Sequence, residues 1–200
     1  SFGSTTCIPR GTHYPDEPFF LMLLSAAIIC LPPAVVASSE SLDELKSLNE
    51  QISRLYGEGK YSEALPLAER SLAIRENFLG PEHSDTATSL NNLAELYRNL
   101  GDYGKAEPLY RRALQIKEKA LGPEHSDTAT SLNNLAELYR NLGDYGKAEP
   151  LYRRALQIKE KALGPEHSDT ATSLNNLAEL YRNLGDYGKA EPLYRRALQI

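Results

Sequence analysis

One stretch of 42 residues repeats along this chain without change. The pentapeptide Leu79–His83 recurs as Leu121–His125 and again as Leu163–His167, and the residues between these points repeat identically. A fixed period of this length is typical of repeat proteins, in which every unit folds alike and packs against its neighbours. The third copy stops at Ile200 before its period closes and the chain opens on Ser1, so we expect a fragment.

The first half of each repeat carries an apolar stripe with helical spacing. Leu93, Ala94 and Tyr97 follow Leu90 by three, four and seven residues, which places all four side chains on one helical face. This pattern predicts a first helix over about residues 85–99.

Polar residues and glycines mark where this helix starts and stops. Ser84 or Asp85 can cap its start by accepting hydrogen bonds from first-turn N–H groups. Gly101 is expected to end it, and Asp102 is a plausible cap for a second helix.

The second half of the repeat carries another apolar stripe, which includes Tyr103, Ala106, Tyr110 and Ala113 and predicts a helix that runs through Lys119. A Leu-Gly-Pro sequence then ends it, because glycine permits the reversal and proline cannot continue the helix. Each repeat is therefore predicted to be a helical hairpin. Such a hairpin becomes stable when neighbouring copies cover its remaining apolar surface.

Charge and cysteine content exclude several classes of function. The net charge is −5, and one full repeat carries six acidic and six basic residues. Binding to nucleic acid requires an excess of Lys and Arg on one face, so we expect no nucleic-acid partner. Cys7 and Cys30 both precede the repeats, which leaves no disulfide framework or thiolate metal site there.

The amino-terminal segment is expected to act in targeting. Residues 19–31 form an apolar run, followed by two prolines and small residues at Val35 and Ala37, an order typical of a signal peptide cleaved before Ser38. An uncleaved membrane anchor and a segment with no targeting role are the alternatives. The acidic Asp16 stands where a basic leader is expected. If the signal is real, the protein is exported to the periplasm or the extracellular space.

No catalytic constellation is predicted. The Pro-Glu-His-Ser-Asp sequence at residues 81–85 contains the residue types of a hydrolase triad, but adjacent residues cannot converge on one substrate. His83, His125 and His167 lie on stacked repeats roughly 10 Å apart, given helix spacings of 8–10 Å. Zinc ligands must each lie about 2 Å from the metal. We therefore expect neither an enzyme nor a cofactor.

The repeat resembles the tetratricopeptide signature. The pattern Leu90-x2-Leu93-Ala94-x2-Tyr97, then Gly101, Tyr103 and Ala106-x3-Tyr110-x2-Ala113, matches that signature with Leu for Trp, Ala for Gly and Tyr for Phe. The 42-residue unit, with its Leu-Gly-Pro-Glu-His linker, resembles the kinesin-light-chain subtype, of which bacteria carry many stand-alone proteins. The resemblance implies an all-α fold, a right-handed α-solenoid of antiparallel helix pairs.

This resemblance divides the chain into five segments. The first repeat holds the pattern less well, with Gln51 in place of the Leu at 93 and Ser71 in place of the Ala at 113, as suits a capping unit. The segments are a signal or anchor at 1–37, a divergent capping repeat at 38–78, full repeats at 79–120 and 121–162, and a truncated repeat at 163–200.

The family also implies a binding surface. Its first helices line a concave groove, and the resemblance implies that Asn91 and its repeats Asn133 and Asn175 bond the backbone of a bound peptide, since an amide both donates and accepts. The alternative is a solvated face on which Glu95 and Arg98 pair with each other. The implied groove residues are Asn49, Thr88, Asn91, Glu95, Arg98, Asn99, Thr130, Asn133, Glu137, Arg140, Asn141, Thr172, Asn175, Glu179, Arg182 and Asn183.

The function that follows is a scaffold that binds an extended peptide or a partner protein, whose identity the sequence does not reveal. Two alternatives stay open. Identical repeats can stack head to tail into a self-assembling array, and the repeats can be the regulatory arm of a larger multidomain protein.

Overall fold

The computed structural model describes residues 33–200, and every regular element within that range is an α-helix. The described helices are α1 (Pro33–Gly57), α2 (Tyr61–Leu79), α3 (Ser84–Asn99), α4 (Tyr103–Leu121), α5 (Ser126–Asn141), α6 (Tyr145–Leu163), α7 (Ser168–Asn183) and α8 (Tyr187–Ala197). The predicted bounds of the first and second helix of a repeat agree with α3 and α4 to within about two residues.

The helices pack in the order of the chain. Within a repeat, α3 packs on α4, α5 on α6 and α7 on α8, while α2 packs on α3, α4 on α5 and α6 on α7. The first helices α3, α5 and α7 also contact one another directly, whereas no contact of that extent joins the second helices α4, α6 and α8 in the described part of the chain. The first helices therefore form the inner layer of a helical solenoid, which confirms the predicted fold class.

Small residues allow this close packing. Ala94 and Ala106 are fully buried at the junction of α3 and α4, and both belong to the core cluster that contains the buried Tyr110 ring. Leu90 is fully buried in a second cluster with Ala113. Burial of a leucine side chain contributes roughly 1.5–3 kcal/mol, so the apolar stripes supply most of the stabilisation within and between repeats.

The start of α3 differs from the prediction. His83, rather than Ser84 or Asp85, is the N-cap, and its Nδ1 accepts a hydrogen bond from the Asp85 backbone N–H at 3.1 Å. The helix begins at Ser84, one residue earlier than expected. His83 has an extended backbone, and its imidazole reaches forward along the chain to the first turn of the helix. The predicted cap of α4 is confirmed, since Asp102 Oδ1 accepts from the Lys105 backbone N–H at 3.3 Å.

The linker between repeats is an ordered part of the unit. Gly122 ends α4 with φ +97°, a conformation that side chains strongly disfavour. The buried Thr128 hydroxyl then donates to the Gly122 carbonyl at 2.8 Å and fixes the linker to the start of α5. The same bond joins Thr86 to Gly80 in the preceding repeat.

Residues Ser38–Ile200 form one compact unit. Of the predicted signal or anchor segment, only residues 33–37 belong to the described part, as the first residues of α1, and the rest lies outside it. No described helix combines the length and the apolar character that a membrane crossing requires.

Candidate protein-binding groove

Four positions on each first helix share one face of the inner layer. In α3 they are Thr88, Asn92, Glu95 and Asn99, which are separated by four, three and four residues. Small depressions between neighbouring first helices are lined by members of this set. We call this surface the groove face, and its members are Thr88, Asn92, Glu95 and Asn99, then Thr130, Asn134, Glu137 and Asn141, then Thr172, Asn176, Glu179 and Asn183.

Two of the asparagines predicted to hold a peptide join one repeat to the next. Asn91 is only 8% exposed, and its Nδ2 donates to Ser131 Oγ on the following first helix at 2.9 Å. Asn133 donates in the same way to Ser173 Oγ at 3.2 Å. The Oδ1 atoms of Asn91 and Asn133 are buried without a donor among the described residues, although both residues line depressions that border the groove.

Asn175, and Asn49 at the matching position of the first repeat, also lie outside the groove face. Asn49 accepts a hydrogen bond from Ser71 Oγ at 3.3 Å within the first repeat. Asn175 has the same helical position as Asn91 and is exposed, since no further first helix packs on α7 among the described residues. Asn91, Asn133 and Asn175 therefore pack against, or face, the flank where a neighbouring repeat stacks, and their part in peptide binding stays a prediction.

Sequence reasoning missed the adjacent asparagine. Asn92, Asn134 and Asn176 lie on the groove face, and their amides form no hydrogen bond within residues 33–200. One residue of α-helix turns the side chain by about 100°, which separates a groove position from a stacking position. The signal was available in the sequence as the four-three-four spacing that relates Asn92 to Thr88, Glu95 and Asn99.

The charged residues form a ladder that crosses the repeats. Arg98 Nη2 lies 3.2 Å from Glu95 Oε1 in its own helix, and Arg98 Nη1 lies 3.3 Å from Glu137 Oε1 in the next. Arg140 likewise pairs with Glu137 and lies 4.0 Å from Glu179. The predicted pairing of Glu95 with Arg98 is thus present, and its extension to the next repeat makes the ladder a link between first helices.

Tyrosines of the second helices donate hydrogen bonds to the glutamates of this ladder. The Tyr152 hydroxyl of α6 donates to Glu137 Oε2 at 2.6 Å, and Tyr194 of α8 donates to Glu179. Burial alone would raise the pKa of Glu137, but hydrogen bonds from Arg140 and Tyr152 and the charges of Arg140 and Arg98 outweigh it and lower that pKa. Glu137 is therefore an ionised, firmly held part of the groove floor.

The other predicted groove residues have simpler surroundings. Thr88, Thr130 and Thr172 are exposed, and each hydroxyl donates to the backbone carbonyl four residues earlier, at 3.3, 3.2 and 3.1 Å. Asn99 Nδ2 donates to the Tyr56 hydroxyl at 3.2 Å. Further exposed members of the predicted set are Asn141, Arg182 and Asn183.

A buried lysine borders the groove at each internal junction. Lys117 is 5% exposed, and its Nζ donates to Asp127 Oδ2 at 3.0 Å, while Lys159 and Asp169 form the same bond at 2.7 Å. Each pair ties a second helix to the first turn of the next first helix. The sequence offered no sign of this role, because a lysine at helical spacing is normally solvated.

Comparisons with known proteins agree with this architecture. A family model described as tetratricopeptide repeat matches residues 48–119, 85–161 and 127–200. No curated protein matches the chain.

Solved structures provide similar folds. BtubC (BKLC) from P. vanneervenii is 27% identical with a TM-score of 0.68, and the match covers 78% of this chain and 62% of that one. A putative kinesin light chain from Podosopora anserina, with nearly identical TPR-like repeats, is 29% identical with a TM-score of 0.68, over 78% of this chain and 74% of that one. A point variant of that kinesin light chain gives the same identity and TM-score, with 73% of the variant chain covered. Because the three matched segments together span residues 48–200, this protein belongs to the tetratricopeptide repeat family, and these solved neighbours are kinesin-light-chain-like.

Proposed function

We propose that this protein is a scaffold that holds an extended segment of a partner protein on its groove face. Tetratricopeptide repeats generally mediate protein–protein interaction, which provides the general class of function. The observation that carries the proposal is the row of Asn92, Asn134 and Asn176, one amide from each first helix, none of them bonded within the described residues.

The chemistry of this row suits a peptide backbone. Each amide offers a donor and an acceptor, as a peptide unit does, and can form both bonds at once. The flanking Glu and Arg side chains already pair with each other, so the groove carries no large excess charge that would favour a polyanion or a polycation.

The spacing of the row also suits an extended segment. Packed helices lie about 8–10 Å apart, and an extended chain rises about 3.3 Å per residue. One amide of the row would therefore meet about every third residue of a peptide that runs across the first helices.

A peptide-library selection on the intact protein tests the proposal, followed by titration of a selected peptide against two triple variants. The first variant replaces Asn92, Asn134 and Asn176 with Ala. With about 0.5–1.5 kcal/mol for each lost hydrogen bond, we expect affinity to fall by roughly tenfold to a thousandfold. The matched control replaces three exposed glutamines with Ala. They are Gln115 in α4, Gln157 in α6 and Gln199, which follows α8. Unchanged affinity in the first variant, with an intact helical spectrum, would contradict the proposal.

A head-to-tail array has less support from the first repeat. Internal repeats stack through a glutamate and a tyrosine of the following first helix. Glu137 pairs with Arg98, and the Tyr139 hydroxyl accepts a hydrogen bond from Arg111. The matching positions of α1 hold Ser53 and Leu55. A copy stacked by α1 onto α8 would lack those two partners, and sedimentation at several concentrations measures whether such arrays form.

Export stays a proposal that rests on sequence alone. The apolar run at residues 19–31 and the small residues before Ser38 support cleavage by a signal peptidase. Mass spectrometry of the mature protein is expected to find Ser38 at the amino terminus, and full-length chain confined to the cytoplasm would contradict this.

A further inference from the structure

The first junction of the groove differs in chemistry from the internal ones. Between α1 and α3, the facing positions of α1 hold Ile52, Ser53 and Tyr56. Forty-two residues later the same positions hold Ala94, Glu95 and Arg98, and the repeat after that holds Ala136, Glu137 and Arg140. The first junction therefore has an aliphatic, a hydroxyl and an aromatic side chain where each internal junction has an alanine, a glutamate and an arginine.

These changes leave an open pocket where the ladder would otherwise continue. Its volume is about 260 Å³, and Ile52, Tyr56 and Leu96 supply its apolar walls. A cavity of about 150 Å³ suffices to hold benzene, so a large side chain fits here. The Tyr56 ring is 37% exposed and packs edge-on against Tyr61, with ring centres 5.3 Å apart.

The one charged group that lines the pocket, Glu95, already has partners. Glu95 accepts a hydrogen bond from the Tyr56 hydroxyl at 2.6 Å and one from Arg98 Nη2 at 3.2 Å. A charged side chain that entered would lose hydration without gaining a free counter-charge, whereas an apolar one would cover Ile52 and the Tyr56 ring. Asn92 lies beside the pocket, where its amide can bond the backbone next to an inserted side chain.

We infer that this pocket receives one uncharged, apolar side chain of the bound segment and thereby sets the register of that segment in the groove. The inference rests on the proposed function. Asn92, Asn134 and Asn176 lie in identical repeats, so backbone bonds to them are equivalent after a shift of one repeat. The depressions at the two internal junctions are lined by polar and charged side chains, so the apolar walls of the first pocket remove this equivalence.

Ligand-observed saturation-transfer NMR tests the pocket with two defined probes, N-acetyl-L-phenylalaninamide and N-acetyl-L-lysinamide. On the wild-type protein we expect the phenylalanine probe to bind at least about five times more tightly than the lysine probe. In protein-observed spectra the phenylalanine probe should also shift the methyl signals of Ile52 and the ring signals of Tyr56, two residues that lie outside the identical repeats. Equal binding of both probes, or undisturbed Ile52 and Tyr56 signals, would overturn the inference.

Two variants give the control. The triple change Ile52→Ala, Ser53→Glu and Tyr56→Arg transplants the internal junction, a combination that the chain itself already accommodates twice. If the triple variant fails to fold, the single change Tyr56→Arg serves in its place, because it replaces the aromatic wall of the pocket by a charged side chain. Both are expected to weaken binding of the phenylalanine probe at least about fivefold, and wild-type affinity in a folded variant would overturn the inference.

Peptides from the library selection separate the two proposals. If they bind the wild-type protein and the triple variant with equal affinity, the pocket is not used and the groove function stands. If the phenylalanine probe binds at Ile52 but removal of the Asn92 row leaves peptide affinity unchanged, the groove function fails and the pocket stands.

Discussion

Arg98 connects two repeats through a single guanidinium group. One terminal nitrogen contacts Glu95 of its own helix at 3.2 Å, and the other contacts Glu137 of the next repeat at 3.3 Å. Only 15% of the Arg98 side chain and 24% of the Glu137 side chain are exposed, so solvent screens this link less than a surface ion pair.

Acid is expected to weaken the stacking of the repeats. Burial acts to raise the pKa of Glu137, but bonds from Arg140 and Tyr152 outweigh it and lower that pKa from its ordinary value of 4.5. A group with a lowered pKa in the folded state stabilises fully above its ordinary value, and this stabilisation is lost as the pH falls through the folded value. Glu137→Gln should cost about 1–3 kcal/mol at pH 7 and reduce the loss of stability between about pH 7 and pH 3.5. Urea unfolding at both pH values measures this.

The exposed Glu124 provides the control for this experiment. It pairs with Lys161 at the surface, with 58% of its side chain exposed. Glu124→Gln should change stability by no more than about 0.5 kcal/mol. Equal acid sensitivity of the Glu137 variant and the wild type would mean that the ladder does not hold the repeats together.

Two adjacent asparagines are expected to respond in opposite ways. Asn91→Ala removes the bond to Ser131 between repeats and should lower the free energy of unfolding by about 0.5–1.5 kcal/mol. Asn92→Ala removes an exposed amide and should leave stability within about 0.5 kcal/mol of wild type. Denaturant titration of the two variants side by side measures the difference, and equal losses would contradict the assignment of the two flanks.

Two glycines, one inside α4 and one that ends it, should also differ. Gly122 has φ +97° and ψ 159°, a region that is essentially restricted to glycine, so Gly122→Ala should cost about 1–3 kcal/mol. Gly104 lies inside α4, where an added Cβ would meet Asp102 Oδ1 at 3.9 Å, an ordinary contact. Gly104→Ala should be neutral or stabilise by up to about 1 kcal/mol. Thermal unfolding that ranks these variants in the reverse order would contradict the linker conformation.

Stability should rise with the number of repeats. Deletion of residues 121–162 joins Ala120 to Leu163, which recreates the sequence of an ordinary junction. The shortened protein loses one hairpin and one interface between neighbours, so its urea midpoint should fall, and an inserted extra copy should raise it. Equal midpoints in all three lengths would be incompatible with stabilisation by stacking.

The sequence alone determined the repeat, both helices of the unit and the solenoid. It could do so because helix formation depends on local spacing, and the identical apolar stripes around Leu90 and Tyr110 repeat that spacing in every copy. The Asp102 cap and the end of α4 at Gly122 were predictable for the same reason, since each depends on a few neighbouring residues.

Only the tertiary structure decided which residues form the groove face. Asn91 and Asn92 are chemically identical neighbours, but the position of the next first helix pairs Asn91 with Ser131, while the Asn92 amide has no hydrogen bond among the described residues. The bond between Arg98 and Glu137 and the pocket beside Tyr56 likewise depend on how two repeats meet. Helical periodicity fixes the angle between side chains within one helix, but the direction in which a face points is set by the packing of separate helices.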